Sequence, residues 1–261
     1  MPSNKVIIGT TLTKTPAHIL KNFFNNQKEI QENYPNSELI ISTSDDDFAI
    51  NISGKLKCKI IRYQKPSINS SIIASDPLFI PQKIRIRDMV EGRNVVRNYF
   101  LESDAEYFLS VDTDMLYDPE IISILINKIK SYDIIMSGYM KKNHRLGYSL
   151  GCALIRREVL EKVKFNCMIF PSFPDMPNII EDGWMFEHDA VRWGFKINRG
   201  IFARIDHMIN EKEKLRVLPR KTTSLEKIKN NSMIRYFIVE LCILTKRDLP
   251  RIITKKMGGR L

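Results

Sequence analysis

The stretch Glu106–Val111 (EYFLSV) runs directly into Asp112, Thr113 and Asp114, and this junction marks the carboxyl end of a central strand in the predicted fold. Its apolar and aromatic residues predict a buried strand. Side chains two positions apart in an extended chain point the same way, so Asp112 and Asp114 should converge where the strand ends. Two such carboxylates repel each other unless a cation lies between them, and Mg²⁺ and Mn²⁺ prefer oxygen ligands. The junction therefore favours a metal site, although aspartates also occur in ordinary turns after strands.

Strand and helix patterns alternate on both sides of this junction, which is typical of an open, mostly parallel α/β sheet. In such a sheet the binding site lies at the carboxyl ends of the strands. The sequence has neither a GxxxxGK[ST] loop nor a GxGxxG loop, so other groups must hold any bound nucleotide. The predicted strands are 5–10, 38–44, 57–63, 106–111 and 133–137, the predicted helices are 16–33, 83–101 and 121–129, and 67–81 is predicted to be a loop.

Length and composition exclude several classes of protein. The chain has 261 residues, of which 43% are hydrophobic, so it can bury a sizeable core and is not disordered as a whole. No apolar run approaches the roughly 20 residues that a membrane-spanning helix needs. Residues 1–13 lack a signal-peptide profile, so we expect a cytoplasmic location. Four widely spaced cysteines predict neither a disulfide nor a zinc site, so oxygen atoms should supply most ligands of any metal.

The net charge of +11 is concentrated at the C-terminal end. Residues 211–261 contain 14 Lys or Arg and 5 Asp or Glu, which leaves residues 1–210 nearly neutral. We therefore predict a main domain over 1–210 and a basic helical extension over 211–261, and we consider nucleic acid an unexpected partner. Within the extension, Met233–Thr245 (MIRYFIVELCILT) suits a helix lying on an anionic membrane, peripheral on its inner face. A helix packed on the core beside a solvated basic tail explains the same pattern.

A second acidic pair, Glu181 and Asp182, stands where a predicted helix begins, and Gly194 marks the end of that helix. Carboxylates in a first helical turn stabilise the helix through its dipole, which is a purely structural explanation. The functional explanation is a general base that stays ionised beside a cleft.

Two further features are ambiguous on their own. His207 follows a predicted strand over 200–205, and a lone histidine is more often a surface or core residue than a ligand. Arg93 and Arg97 lie one helical turn apart, so they could face an anionic ligand or form part of a solvated face.

The order and spacing of these features together resemble the GT-A-type nucleotide-sugar glycosyltransferases, in particular the large inverting family 2 group. The resemblance extends over about residues 4–208 and leaves 66–82 and the basic extension unmatched. It implies a three-layer α/β/α GT-A (Rossmann-like) fold. The segments that carry it are GRNVVRNYFLESDAEYFLSVDTDM (92–115), GYSLGCALIRREVLEKV (147–163), EDGWMFEHDAVRWGFKIN (181–198) and ARIDHM (203–208).

The resemblance also implies roles for individual residues. The DxD motif of the family, which is Asp112-Thr113-Asp114 in this chain, contacts the ribose and the metal that holds the diphosphate. The ED pair supplies the base that deprotonates the acceptor, and of Glu181 and Asp182 we favour Asp182. The other implied roles are nucleoside contacts for Thr10, Thr11 and Asp45, donor contacts for Arg93 and Asn94, completion of the metal shell by His207, and an acceptor-side strand over 147–155.

The implied reaction moves a sugar from a nucleoside diphosphate, such as a UDP- or GDP-sugar, to a glycan, lipid-linked or protein acceptor, with Mn²⁺ or Mg²⁺ and with inversion. The chain departs from the family in two places, since no Arg follows the ED pair closely and no QxxRW-like element is present. These departures argue against a processive polysaccharide synthase and leave the acceptor open.

Two alternatives remain. A sugar nucleotidyltransferase, or another metal-dependent nucleotide transferase, would share the sheet and the acidic metal site, but the sequence lacks a Gly-rich phosphate loop near its first strand. A non-enzymatic, basic nucleic-acid-binding protein would bind in a salt-sensitive manner that ignores Mn²⁺. The nearly neutral main domain disfavours the second alternative.

Overall fold

The computed structural model describes residues 4–12, 15–44, 56–65, 80–169, 179–210, 213–223, 226 and 231–245, with the backbone alone at 80–83, 169 and 179. Asp45, most of the predicted loop over 67–81 and the chain after Thr245 lie outside these residues. The elements, in chain order, are β1 Val6–Leu12, α1 Ala17–Asn33, β2 Ser37–Thr43, β3 Cys58–Arg62, α2 Ile80–Glu102, β4 Tyr107–Val111, β5 Met115–Tyr117, α3 Ile121–Ile129, β6 Ile134–Ser137, β7 Tyr139–Met140, β8 Leu146–Gly147, β9 Cys152–Arg156, α4 Arg157–Lys162, β10 Met168–Ile169, β11 Ile179–Ile180, α5 Asp182–Arg192, β12 Ile197–Gly200, β13 Ile205–Met208, β14 Lys214–Val217 and α6 Ser232–Thr245.

A seven-stranded sheet in the order β12-β6-β9-β4-β1-β2-β3 forms the centre of the molecule. β1 pairs in parallel with β2 and β4, β2 pairs in parallel with β3, and β6 pairs in parallel with β12. β9 runs antiparallel to its neighbours β4 and β6. The mostly parallel α/β sheet predicted from the sequence is therefore confirmed.

Helices cover both faces of this sheet, because its strands are apolar on both sides. On one face Val6 and Ile8 of β1 belong to a cluster with Phe23 of α1 and Leu125 of α3. On the other face Ile7 of β1 packs in a second cluster that draws on α2, α4 and α5. The result is a three-layer α/β/α arrangement, which is consistent with a Rossmann-like GT-A fold.

A smaller antiparallel sheet, β14-β13-β5, lies beyond the carboxyl end of β4. Only the segment 112–114 separates β4 from β5, so the acidic junction links the two sheets. His207 lies inside β13, opposite Met115 of β5, and not after a strand over 200–205 as predicted, because β12 ends at Gly200. β14 pairs with β13, so the predicted boundary at residue 210 falls between two paired strands of one sheet.

The C-terminal helix α6 confirms the helix predicted from Met233 onward and packs on α5. Among the described residues, no helix is both long enough and apolar enough to cross a membrane.

Candidate active site

A cavity of about 1380 Å³ opens at the carboxyl ends of the parallel strands. Thr11 of β1, Ser44 after β2 and Asp112 after β4 all contribute to its wall, as expected for an open α/β sheet. The sequence-predicted site residues that line it are Thr11, Arg93, Asp112, Thr113, Asp114, Glu181 and His207.

Thr10 occupies a different position. It is 3% exposed, and the alternation along β1 places it on the same face as Val6 and Ile8. Its hydroxyl has no hydrogen-bond partner among the described residues. Thr11 points the other way, and its hydroxyl accepts a hydrogen bond of 3.1 Å from Ser42. Of the three predicted nucleoside contacts, Thr11 reaches the cavity wall, Thr10 does not, and Asp45 lies outside the described residues.

Asp112 is held by a dense set of contacts at the end of β4. Its Oδ1 lies 3.0 Å from Nη2 of Arg93, and its backbone N–H donates to the Tyr117 hydroxyl at 2.8 Å. That hydroxyl in turn donates to the carbonyl of Gly151 at 2.6 Å. A Cβ at residue 151 would lie 2.6 Å from Asp112 Oδ2, so a glycine is needed beside this carboxylate. Burial raises the pKa of Asp112, and the charge of Arg93 opposes that rise.

Asp114 points into the same cavity but has other partners. Its Oδ2 lies 3.0 Å from Nζ of Lys142 and 3.2 Å from Nε2 of His207. Burial opposes ionisation of this carboxyl, but the hydrogen bonds and charges of His207 and Lys142 prevail and lower its pKa to about 2. Asp114 is therefore ionised at any pH near neutrality.

The ring of His207 is oriented by the main chain. Its Nδ1 lies 2.7 Å from the carbonyl oxygen of Met140, which can only accept, so Nδ1 carries the proton of that hydrogen bond. Nε2 then faces the Asp114 carboxylate and must be either protonated or bonded to a cation. Metal-bound histidines typically donate their other ring N–H to a carbonyl in this way.

Arg93 joins the two acidic motifs. Besides Asp112, its guanidinium forms an ion pair with the carboxylate of Asp182, the first residue of α5, and both side chains are buried. Glu181 is exposed and lines the cavity directly. Although Glu181 and Asp182 are adjacent in sequence, their carboxylates lie in different places. The Asp182 carboxylate contacts Arg93, and the Glu181 carboxylate lies on the cavity wall.

Asn94 and Arg97 make structural contacts. The Asn94 amide donates to the carbonyl of Phe165 at 2.9 Å and accepts from the Phe165 N–H at 3.0 Å. Arg97 is 5% exposed and donates to the carbonyl of Val163 at 3.1 Å, so it forms no part of a solvated face. Both residues fasten α2 to the segment after α4.

We expect Asn94→Ala to destabilise the fold by about 1–3 kcal/mol, because it leaves two main-chain groups of Phe165 without partners. Nucleotide affinity at the cavity should stay unchanged. Denaturant unfolding and a nucleotide titration of the same variant test both statements. A large loss of nucleotide affinity at unchanged stability would show that Asn94 contacts the ligand instead.

Several residues on the cavity wall escaped the sequence analysis. Lys141 and Lys142 lie between the two short strands β7 and β8, and no motif marks them. Asp88 of α2 accepts from Ser44 at 3.1 Å and from Tyr63 at 3.0 Å, which connects α2 to the ends of β2 and β3. These contacts join residues far apart in the chain, so local patterns could not reveal them.

The arrangement fits a divalent cation in part. Among the described residues, no group of three or more His, Cys, Asp or Glu side chains is arranged to hold a metal ion. Asp114 and His207 nevertheless stand side by side, with an oxygen and a nitrogen facing each other across 3.2 Å. The third predicted ligand, Asp112, is directed to Arg93. The donor types suit Mg²⁺ or Mn²⁺, and the Asp114–His207 pair is the part of the site that is in place.

No protein-family model matches this chain, and no curated protein matches it. Among solved structures it is similar to a mannosyltransferase from Pyrobaculum calidifontis in complex with GDP-Man and Mn²⁺, with a TM-score of 0.48 and 9% identity over 77% of this chain and 56% of that chain. It is also similar to the bifunctional IspDF from Campylobacter jejuni, with a TM-score of 0.39 and 12% identity over 86% of this chain and 53% of that chain. The chain thus spans little more than half the length of either. Because TM-scores and identities are both low, these similarities support no statement about activity.

Proposed function

We propose that the cavity binds a nucleoside-diphosphate sugar and that the protein transfers the sugar to an acceptor hydroxyl. The observation that carries this proposal is the position of Asp114 beside Nε2 of His207, just after the carboxyl end of β4. An ionised carboxylate next to a main-chain-oriented imidazole is suited to a divalent cation, and the basic side chains around it are suited to phosphates. The basic residues that line the cavity are Lys65, Arg85, Arg93, Lys141 and Lys142.

In this proposal Asp114 and His207, together with Asp112, hold the Mn²⁺ or Mg²⁺. When bound, the metal supplies positive charge that stabilises the departing diphosphate. Arg93 and Lys142 add two further charges at the same place, and Thr113 lies on the wall beside them. Thr11, Ser44 and Asp88 form the polar wall at the other strand ends, which we assign to the nucleoside.

The acceptor side needs a base that removes a proton from the attacking hydroxyl. We propose Asp182 for this role, with Arg93 as the residue that positions it. Because Arg93 pairs with both Asp182 and Asp112, one guanidinium connects the proposed base to the donor site. Glu181, exposed on the cavity wall, is the second candidate for the base.

Ligand-induced thermal stabilisation tests the donor site. The protein is heated with UDP-, GDP- and dTDP-sugars, each with Mn²⁺ or with EDTA. A ligand at about 100 times its dissociation constant stabilises a protein by about 2.7 kcal/mol, which a melting curve resolves easily. We expect a Mn²⁺-dependent shift with one nucleotide, followed by release of the nucleoside diphosphate when an acceptor is added. Release of pyrophosphate from a nucleoside triphosphate would identify a nucleotidyltransferase instead.

Lys142 provides a further prediction. Its ammonium group occupies one side of Asp114, but its side chain is 57% exposed, and such pairs contribute only about 0–1 kcal/mol. A divalent cation should therefore displace it easily. We expect Lys142→Met to tighten Mn²⁺ binding by a factor of about 2–5, since it removes a competing charge, and to weaken nucleotide binding in EDTA.

The matched control is Lys141→Met. Lys141 also lines the cavity, but its side chain lies against Gly147 and not against Asp114. Titration of Mn²⁺ into each variant, without nucleotide, measures how far the lysine competes with Mn²⁺ for Asp114. Equal Mn²⁺ affinities in the two variants and the unaltered protein would contradict this role for Lys142.

A further inference from the structure

The helix α6 has two faces of different character. Arg235, Val239 and Cys242 follow one another at helical spacing on one face, and Val239 and Cys242 are each 1% exposed. They belong to an apolar cluster with Met185 of α5 and Ile180 of β11. One face of α6 is therefore part of the packed molecule.

Charged and aromatic contacts fix the helix further. The guanidinium of Arg235 lies 2.7 Å from Glu187 Oε2 and 4.0 Å from the centre of the Trp184 ring. At the next position along α5, His188 Nε2 lies 2.8 Å from Oε1 of Glu240. These pairs hold α6 against α5, so its outward face is defined.

The outward face is apolar. Five residues of α6 have side chains that are 43–75% exposed, and the described residues contain only two other large hydrophobic side chains exposed to that degree, Trp193 and Leu218. Met233, Phe237, Leu241 and Leu244 are separated by four, four and three residues, which places them in one stripe along the helix. This apolar stripe consists of Met233, Ile234, Phe237, Leu241 and Leu244.

The sequence on both sides of α6 is basic. Lys227 and Lys229 precede the helix, and Lys246, Arg247 and Arg251 follow it. Residues 211–261 carry 14 Lys or Arg against 5 Asp or Glu. Of those five acids, Glu226 is paired with Arg220 of the same segment and Glu240 is hydrogen-bonded to His188 of α5. An apolar stripe thus lies within a strongly cationic segment.

We propose that the apolar stripe of α6 binds the surface of an anionic lipid bilayer, to which the excess of Lys and Arg in residues 211–261 attracts the protein. A short apolar stripe flanked by basic residues is the pattern of a helix that lies in the interface plane. Headgroup phosphates complement the charge, and each basic residue near such a surface adds to the attraction. A second copy of this chain on the same face would instead bring two cationic segments together. This inference does not depend on the reaction proposed above.

The test uses the full chain and two kinds of vesicle, one of phosphatidylcholine alone and one with about 30% phosphatidylserine. We expect co-sedimentation with the anionic vesicles, weak binding to the neutral ones, and loss of binding as salt rises from about 0.1 M to 1 M, because screening shortens the range of the attraction.

The variant Phe237→Gln/Leu244→Gln should lower vesicle affinity at least about tenfold, since it removes two large apolar side chains from the contact. Both residues are exposed, so the melting temperature should not change. Leu218→Gln is the matched control, since Leu218 is 59% exposed but lies outside α6, and it should bind like the unaltered protein.

Three outcomes would overturn the proposal. Equal affinity of the double variant and the Leu218→Gln control would show that the apolar stripe does not contact lipid. Equal binding to neutral and anionic vesicles would show that the Lys and Arg residues do not contribute to binding. A dimer in solution that dissociates in the double variant, without vesicle binding, would show that a second copy covers the stripe. None of these results affects the nucleotide-binding test of the proposed reaction.

Discussion

Asp182→Asn is expected to lower the rate of sugar transfer by a factor of roughly 10² to 10⁴, the usual contribution of a general base, at nearly constant donor affinity. The asparagine keeps the shape of the side chain and can still accept a hydrogen bond from Arg93, so the guanidinium should stay in place beside Asp112. What the variant loses is the ability to take a proton from the acceptor. Single-turnover experiments measure the rate of the transfer step, and a separate titration measures donor affinity. Together they show which of the two the variant changes.

Glu181→Gln is the matched control for this variant. Glu181 directly precedes α5 and lines the cavity, so it could reach an acceptor hydroxyl. If Glu181→Gln loses the rate and Asp182→Asn keeps it, Glu181 is the base. A third result, a lower melting temperature with the rate preserved in both variants, would reduce Asp182 to a helix-stabilising residue. Carboxylates at a helix start typically contribute 0.3–1 kcal/mol in that role.

Five of the seven strands of the main sheet, β1, β2, β3, β4 and β6, were predictable because each carries its own signal, whereas β9 was expected only from the family resemblance and β12 was not predicted. Val6, Ile7 and Ile8 are consecutive apolar residues, as expected of a parallel strand that is buried on both faces. Asp112 and Asp114 both line the cavity because they follow the same strand end, but residues 113 and 114 form a turn and not the extended chain expected, and the two carboxylates have different partners. These are consequences of neighbouring residues along the chain.

The partners of the two carboxylates were not predictable in the same way. His207 reaches Asp114 because β13 pairs with β5 in antiparallel register, and its ring is turned by the carbonyl of Met140. Lys142 has no signature in the sequence, and its contact with Asp114 depends on where the link between β7 and β8 lies. Such contacts depend on strand pairing and packing between distant segments.

The contacts of Arg93 were also beyond what the sequence pattern could predict. Its spacing from Arg97 suggested one shared face on α2, but the two side chains serve different purposes. Arg93 pairs with Asp112 and Asp182, while Arg97 donates to the main chain at Val163. Helical periodicity predicts which side chains are neighbours, and it does not predict whether a neighbour faces a cavity or the packed interior.

Asp114→Asn is expected to abolish the Mn²⁺-dependent part of donor binding and to lower transfer at least about 100-fold, since metal charge contributes several kcal/mol to such transition states. Among the described residues, Asp114 is the carboxylate that forms ion pairs with both His207 and Lys142. Its pKa of about 2 shows that its surroundings favour the charged form, which an amide cannot supply. Melting curves with the donor, in Mn²⁺ and in EDTA, measure the loss directly.

The chain offers a matched control one residue before His207. Asp206 is 2% exposed and is paired with Arg216 at 2.7 Å, but it does not line the cavity. Asp206→Asn should therefore lower the stability of the fold modestly, because it removes the ion pairs with Arg216 and Lys214 of β14, which are both about half exposed, and yet keep the Mn²⁺-dependent shift. If Asp114→Asn retains a full Mn²⁺ response while Asp206→Asn loses it, the metal lies elsewhere and the acidic junction is only a turn. If the response disappears in Asp114→Asn alone, the two carboxylates differ by their access to the cavity, as the geometry requires.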